Sequence, residues 1–133
     1  MPFLNFMKQR YFVKKIAVII TTPPFSNLTV TALNYIETAL NTGVEIIGVF
    51  FYQDAVLNAS SHIRLANDEY QTTQQWLKLH NKYQLPLHLC VTAAEKRGLT
   101  DCNSVQLIAN SFTISGLGEL VELNNKADTV VQF

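Results

Sequence analysis

Few residues of this chain invite a chemical reading, and the first is Cys90, in the stretch LHLCVTAAEKRGL (87–99). It ends an apolar run and stands just ahead of a helix-like segment. A thiol at a helix start meets free N–H groups and the positive end of the dipole, which favour the thiolate and hence a nucleophile. Lys96 and Arg97 lie on the same segment and add positive potential from more than a turn away. Against this, free cysteine is among the most buried residue types. Position alone leaves both readings open, with inert filler slightly ahead. Cys102, after the turn-like GLTD, reads as a resolving thiol or as a bystander, and spacing alone cannot bring two thiols to bridging distance. His88 is two residues before Cys90, so on a strand the two side chains share a face, too far apart along it for a good hydrogen bond without bending. His80 reads as a helix-face residue and His62 as a loop residue. With no Asp or Glu placed to orient a histidine, no triad is expected. The stretch SGLGEL (115–120) has two glycines after a strand. It lacks the third glycine of a dinucleotide fingerprint and the GK[ST] of a P-loop, so a tight strand-to-helix turn is preferred to a phosphate loop. Tyr52 at the exit of the aromatic run Phe50-Phe51-Tyr52, Asn58 in the polar stretch NASSHIRLAN (58–67), and Thr92 just past Cys90 are the residues expected at the rim of a site around the thiol. The same polar stretch reads equally well as an ordinary surface crossover.

The bulk composition excludes several function classes. The chain has 133 residues, 48% apolar and 15% charged, which suits one compact domain. Ten basic residues balance ten acidic ones, and without a run of like charge the domain is a poor grip for a phosphate backbone. Low charge also gives little colloidal repulsion, which fits burial of surface in an oligomer. Two cysteines make no disulfide scaffold. The absence of a CxxC pair, with scattered histidines, makes no zinc site. Two N-x-[ST] matches, at Asn27 and Asn58, are expected by chance. The longest early apolar run, Ile16–Ile20, is too short for a signal or a membrane span. A cytoplasmic protein that meets no membrane is the simplest expectation. Residues 1–14 read as an N-terminal extension, with Met7 an alternative start, and 15–133 as the domain.

The elements that must position Cys90 follow from periodicity. IAVIIT (16–21) is β-branched and apolar on both faces, a buried parallel strand that Thr22-Pro23-Pro24 stops. Val30, Leu33, Ile36 and Leu40 then recur at helical steps, with Asn27 as the cap and Gly43 as the left-handed end. VEIIGVFFY (44–52) is a second strand. Residues 53–66 read as loop plus a short helix. Asn67 reads as the cap of the next helix, with Asp68 and Glu69 in its first turn, Lys78 and Lys82 late, and Pro86 beyond its end. LHLCV is a third strand, TAAEKRG a helix, SVQLIAN (104–110) a short helix, FTIS a fourth strand, GLGELVELNN a helix and DTVVQF a last strand. This alternation calls for a single α/β domain, a mostly parallel five-stranded sheet with helices on both faces in flavodoxin-like layers. Ligands in such sheets bind beyond the carboxyl ends of the strands, where Cys90 is expected.

Four stretches in order, GVFFYQDAVLNAS, LHLCVTAAEKRGLTD, FTISGLGELVE and the ending DTVVQF, together resemble the DsrE family of small sulfur-relay proteins. The resemblance covers all but the first dozen or so residues. It implies that Cys90 carries a persulfide, that Cys102 has no assigned role, and that no metal, nucleotide or other cofactor is needed. It implies assembly with homologous TusB- and TusC-type subunits in a heterohexamer, a TusA-type donor, a TusE-type acceptor, and 2-thiouridine at the tRNA wobble position as the end use, with no direct contact to the nucleic acid. A structural, non-catalytic subunit and a component of sulfur oxidation are the alternatives within the same family. The missing acid–base constellation is then expected, since sulfur transfer between thiols has the form of thiol–disulfide exchange.

Overall fold

The computed structural model describes residues 13–100 and 107–133. Three of the apolar runs form the sheet interior: β1 (Lys15–Ile20), β2 (Glu45–Phe51) and β3 (Leu87–Cys90). The edges are β4 (Phe112–Ser115) and β5 (Thr129–Gln132), in the order β4-β3-β2-β1-β5. All four pairings are parallel. The expected parallel α/β sheet is present, and its centre is buried on both faces, as near-continuous Val, Ile and Phe runs require.

The helices divide unequally between the two faces. α1 (Asn27–Asn41) packs against α2 (Thr72–Tyr83), α2 against a 3-10 helix (Gln53–Ala59), and that against α3 (Val91–Lys96). Trp76 of α2 meets Phe51 of β2 edge-on, ring centroids 4.9 Å apart, so these helices cover the face to which Phe51 points. α4 (Leu117–Lys126) covers the other face. Leu123 of α4 lies over Gly48, where an added Cβ would come within 2.9 Å of the Leu123 Cδ2, and residues three apart on a strand face opposite sides. Right-handed crossovers account for this division. Strands β1 to β4 step one way with their helices on one face. The return from β4 to β5, beyond β1, must run across the other.

Asn58 ties the layer beneath the site. It is fully buried at the end of the 3-10 helix. Its Nδ2 donates to the carbonyls of Thr22 (3.1 Å) and Ala55 (2.9 Å), and its Oδ1 accepts from Trp76 Nε1 at 3.1 Å. Its own carbonyl accepts from Thr73 Oγ1 at 2.9 Å. One amide therefore joins the β1–α1 loop, the 3-10 helix and α2, and satisfies the buried indole N–H.

Three local expectations are corrected. α1 is capped by Ser26, one residue earlier than Asn27, with Oγ accepting from the Leu28 N–H at 3.2 Å. α2 begins at Thr72 and not after Asn67. Residues 66–69 close a turn through the Glu69 N–H to the Ala66 carbonyl, and Gln71 Nε2 bonds the carbonyls of Ala66 and Glu69. The buried Thr72 Oγ1 donates to the Pro24 carbonyl at 2.7 Å and sets where the helix can start. In SVQLIAN, residues 104–106 lie outside the described part. The rest is extended: Ile108 bridges Ser60 in an antiparallel pair, since pairing with the end of the 3-10 helix outweighs local helix preference.

Asn58→Ala strands the indole N–H and two carbonyls, and should cost about 2–4 kcal/mol of stability in denaturant unfolding. An unchanged midpoint would show that the network contributes nothing.

Candidate active site

Cys90 is the last residue of β3, and its Cα partner across the sheet is Ser115, the last residue of β4. Beyond this pair the chain diverges: β3 leads into α3 on one face and β4 into α4 on the other. Such a divergence opens a crevice at the carboxyl ends of the strands. The crevice is a pocket of about 290 Å³ lined by Tyr52, Gln53, Cys90, Thr92, Ala93, Lys96, Arg97 and Leu117. Cys90 is only 1% exposed, so the thiol forms part of the floor. It occupies the cap position of α3 in extended backbone (φ −62°, ψ 119°) without capping the helix through its side chain.

Two of the three residues expected at the rim, Tyr52 and Thr92, line this pocket. Asn58 does not: its amide is consumed by the buried network below. Gln53 joins Tyr52 and Thr92. It lines the pocket with φ +53°, a left-handed conformation that costs a non-glycine residue about 1 kcal/mol. It turns the chain from β2 into the 3-10 helix, and no feature of the sequence marks it. Cys102 lies outside the described residues.

Lys96, the last residue of α3, and Arg97, just past its end, have different fates. Arg97 reaches Asp54 on the 3-10 helix, with Nε and Nη2 at 3.0 and 2.9 Å from the same Oδ1, and its Nη1 donates to the Ala93 carbonyl at 3.1 Å. It braces one wall of the pocket. Lys96 is exposed and forms no ion pair among the described residues. At six residues α3 has little macrodipole to offer, so the positive charge at the pocket is mainly that of Lys96.

His88 overturns the expectation that no acid faces a histidine. Its Nδ1 is 3.1 Å from Ser115 Oγ, and its Nε2 is 3.6 Å from Glu119 Oε1 in the first turn of α4. Glu119 is distant in sequence and arrives only because α4 crosses the opposite face, so local spacing could not reveal the pair. Burial holds the His88 pKa below its ordinary value, and the Glu119 carboxylate offsets only part of that. His80 instead pairs locally, its Nδ1 2.8 Å from the Leu85 carbonyl. In SGLGEL, Gly116 has φ −84°, and a Cβ on Gly116 or Gly118 would meet open space. Nothing there cradles a phosphate. No group of three metal-ligating side chains occurs among the described residues, and no described helix is long and apolar enough to cross a membrane.

The sequence profile of the DsrE/DsrF-like family matches residues 14–133. The chain belongs to the DsrE/DsrF-like family. It is 38% identical over 125 residues to a protein of Salmonella arizonae named Sulfurtransferase TusD, covering 88% of this chain and 98% of that one. It is 35% identical over 127 residues to a protein of the same name from Klebsiella pneumoniae subsp. pneumoniae, covering 90% and 99%. The crystal structure of the ychN protein from E. coli superposes with a TM-score of 0.74 over 90% of this chain and 99% of that one. At 24% identity, that likeness concerns the fold.

In this DsrE/DsrF-like domain the depressed His88 pKa has a consequence for stability. Where a histidine titrates lower in the folded state than in the unfolded one, the unfolded chain binds more protons between the two values. Stability is then unaffected above the ordinary histidine pKa and falls as pH drops below it. Denaturant midpoints measured on either side of that range should show a smaller acid loss in His88→Asn than in wild type. An equal loss in both would mean that His88 does not contribute.

Proposed function

We propose that the chain is a sulfurtransferase subunit that carries one sulfur atom as a persulfide on Cys90. The observation that carries this reading is the Cys90 thiol on the floor of a pocket at the divergence of β3 and β4, in a domain whose relatives are named for sulfur transfer. The Cys90 thiolate attacks the outer sulfur of a donor persulfide. The donor S–S bond breaks, the donor thiolate leaves, and Cys90–S–SH forms. An acceptor thiolate then attacks that outer sulfur, and the Cys90 thiolate departs. Each S–S bond made replaces one broken, so no oxidant, reductant or cofactor enters. The pocket has room for the extra atom, and Lys96 at its edge favours an anionic sulfur.

The same reading extends to a TusA-type donor, a TusE-type acceptor, TusB- and TusC-type companion subunits in a heterohexamer, and tRNA wobble thiolation in the cytoplasm. The lack of net charge agrees with contacts to carrier proteins and not to the tRNA. A purely structural subunit is the second reading, and the near-complete burial of Cys90 is the observation on its side.

Intact-mass measurement after incubation with a persulfide-loaded carrier separates the two. Wild type should gain one sulfur atom and Cys90→Ser none. The same gain in both would remove Cys90 from the reaction. In cells, normal tRNA thiolation in a Cys90→Ser strain, with loss on deletion, would favour the structural reading.

A further inference from the structure

Both ring nitrogens of His88 are directed at one short segment. Nδ1 meets Ser115 at the end of β4, and Nε2 meets Glu119 in the first turn of α4. Between those two contacts lies Leu117, which lines the Cys90 pocket while 52% exposed. It has no bulky cover of its own, and it is flanked by two glycines with open space around them. The His88 ring has little freedom to leave: a Cβ placed on Gly48 would lie 3.5 Å from its Cδ2 and 3.6 Å from its Nε2, so the ring lies close over the bare backbone of β2. We infer that His88 is a positioning residue for the sulfur-bearing pocket, a two-ended clamp that fixes the β4–α4 turn and with it the Leu117 wall beside Cys90. The inference rests on Cys90 being the sulfur carrier for its purpose, but not for its geometry.

The clamp tolerates both charge states of the ring, and its strength differs between them. With neutral His88, the Ser115 hydroxyl donates to Nδ1 and Nε2–H points to Glu119. On protonation Nδ1 becomes a donor. The Ser115 hydrogen can turn to the Thr113 carbonyl, already 3.4 Å from its Oγ, so the first contact survives with its direction reversed. The second becomes a charge-assisted contact to the carboxylate. The charged groups around the ring are few. Glu119 faces it from α4, β4 offers the uncharged Ser115 and Thr113, the latter in register beside His88, and β2 presents the bare Gly48. Lys96 stands at the pocket, on α3. Protonation therefore strengthens the Glu119 contact, but the burial of the ring opposes it by more, and the clamp closes best with the ring neutral.

The test uses the full chain in whatever assembly it purifies. Amide hydrogen exchange of residues 116–119 is followed by NMR at a pH where the His88 ring is neutral. Protection should be about two- to five-fold lower in His88→Asn than in wild type, the size of one lost contact of this class. Glu119→Gln, at a partly exposed site with little risk to folding, should lower it as well. At a pH where the ring is neutral, Cys90 alkylation by iodoacetamide should be about two- to five-fold faster in His88→Asn than in wild type, one lost contact of this class. Protection and alkylation rates that are the same in wild type and His88→Asn overturn the clamp. These readouts involve no sulfur transfer. A chain that takes up no sulfur but shows the His88-dependent protection keeps the clamp and loses the relay.

Discussion

The register that sets Cys90 beside Ser115 is the constraint on which the site depends. In a parallel sheet, paired residues point to the same face, and here β3 and β4 end at one paired position. Because the chain must return from β4 to β5 past β1 with right-handed geometry, the helix after β4 lies on the opposite face from the helix after β3. The two connections separate immediately beyond the Cys90–Ser115 pair, and the space between them is the pocket. A one-residue slip of β4 would turn Ser115 away from His88 and carry Leu117 off the pocket wall. The same return places Glu119 opposite His88. Thiol, pocket wall and histidine contacts are thus one topological consequence.

The remainder of the structure keeps that crevice from closing or drifting. On one side, the buried Asn58 network fixes the 3-10 helix, and Gln53 accepts a left-handed conformation so that the chain can leave β2 and pass under the pocket. Arg97 and Asp54 then span from α3 to the 3-10 helix. On the other side, Leu123 fills the space that Gly48 leaves bare, which seats α4 closely on the sheet. The polar groups at the site divide accordingly. Asn58, Arg97 and His88 act on the position of the walls, and Lys96, which lines the pocket, forms no ion pair among the described residues.

Much of this frame was legible in the residues because it is written in short-range periodicity. The apolar runs at 16–21 and 44–52, the helical spacing from Val30 to Leu40 and the strand LHLCV each declare themselves over short stretches. The position of Cys90 at a carboxyl end followed from the alternation alone. What could not be read was set by partners far along the chain. The start of α2 is fixed by a hydrogen bond from Thr72 to Pro24, the strand-like pairing of Ile108 by Ser60, and the environment of His88 by Glu119. Asn58 shows the converse: a polar residue in a polar stretch reads as surface, and only the fold reveals that its four hydrogen bonds are all internal.

The burial of Cys90 and a role in passing sulfur between proteins look opposed, and on the relay reading they are complementary. The cargo is not Sγ but the atom attached to it, and an S–S bond extends the reactive position by about 2 Å from the pocket floor. Attack on that outer sulfur passes the cargo onward. Attack on Sγ would expel hydrosulfide and leave this chain joined to its acceptor as a mixed disulfide. A thiol 1% exposed at the base of a crevice presents the first target to an incoming thiolate and withholds the second. The walls matter for the same reason. Tyr52, Thr92 and Leu117 line the pocket through which another protein's thiolate would reach the outer atom. Burial of the carrier cysteine then selects which sulfur is attacked.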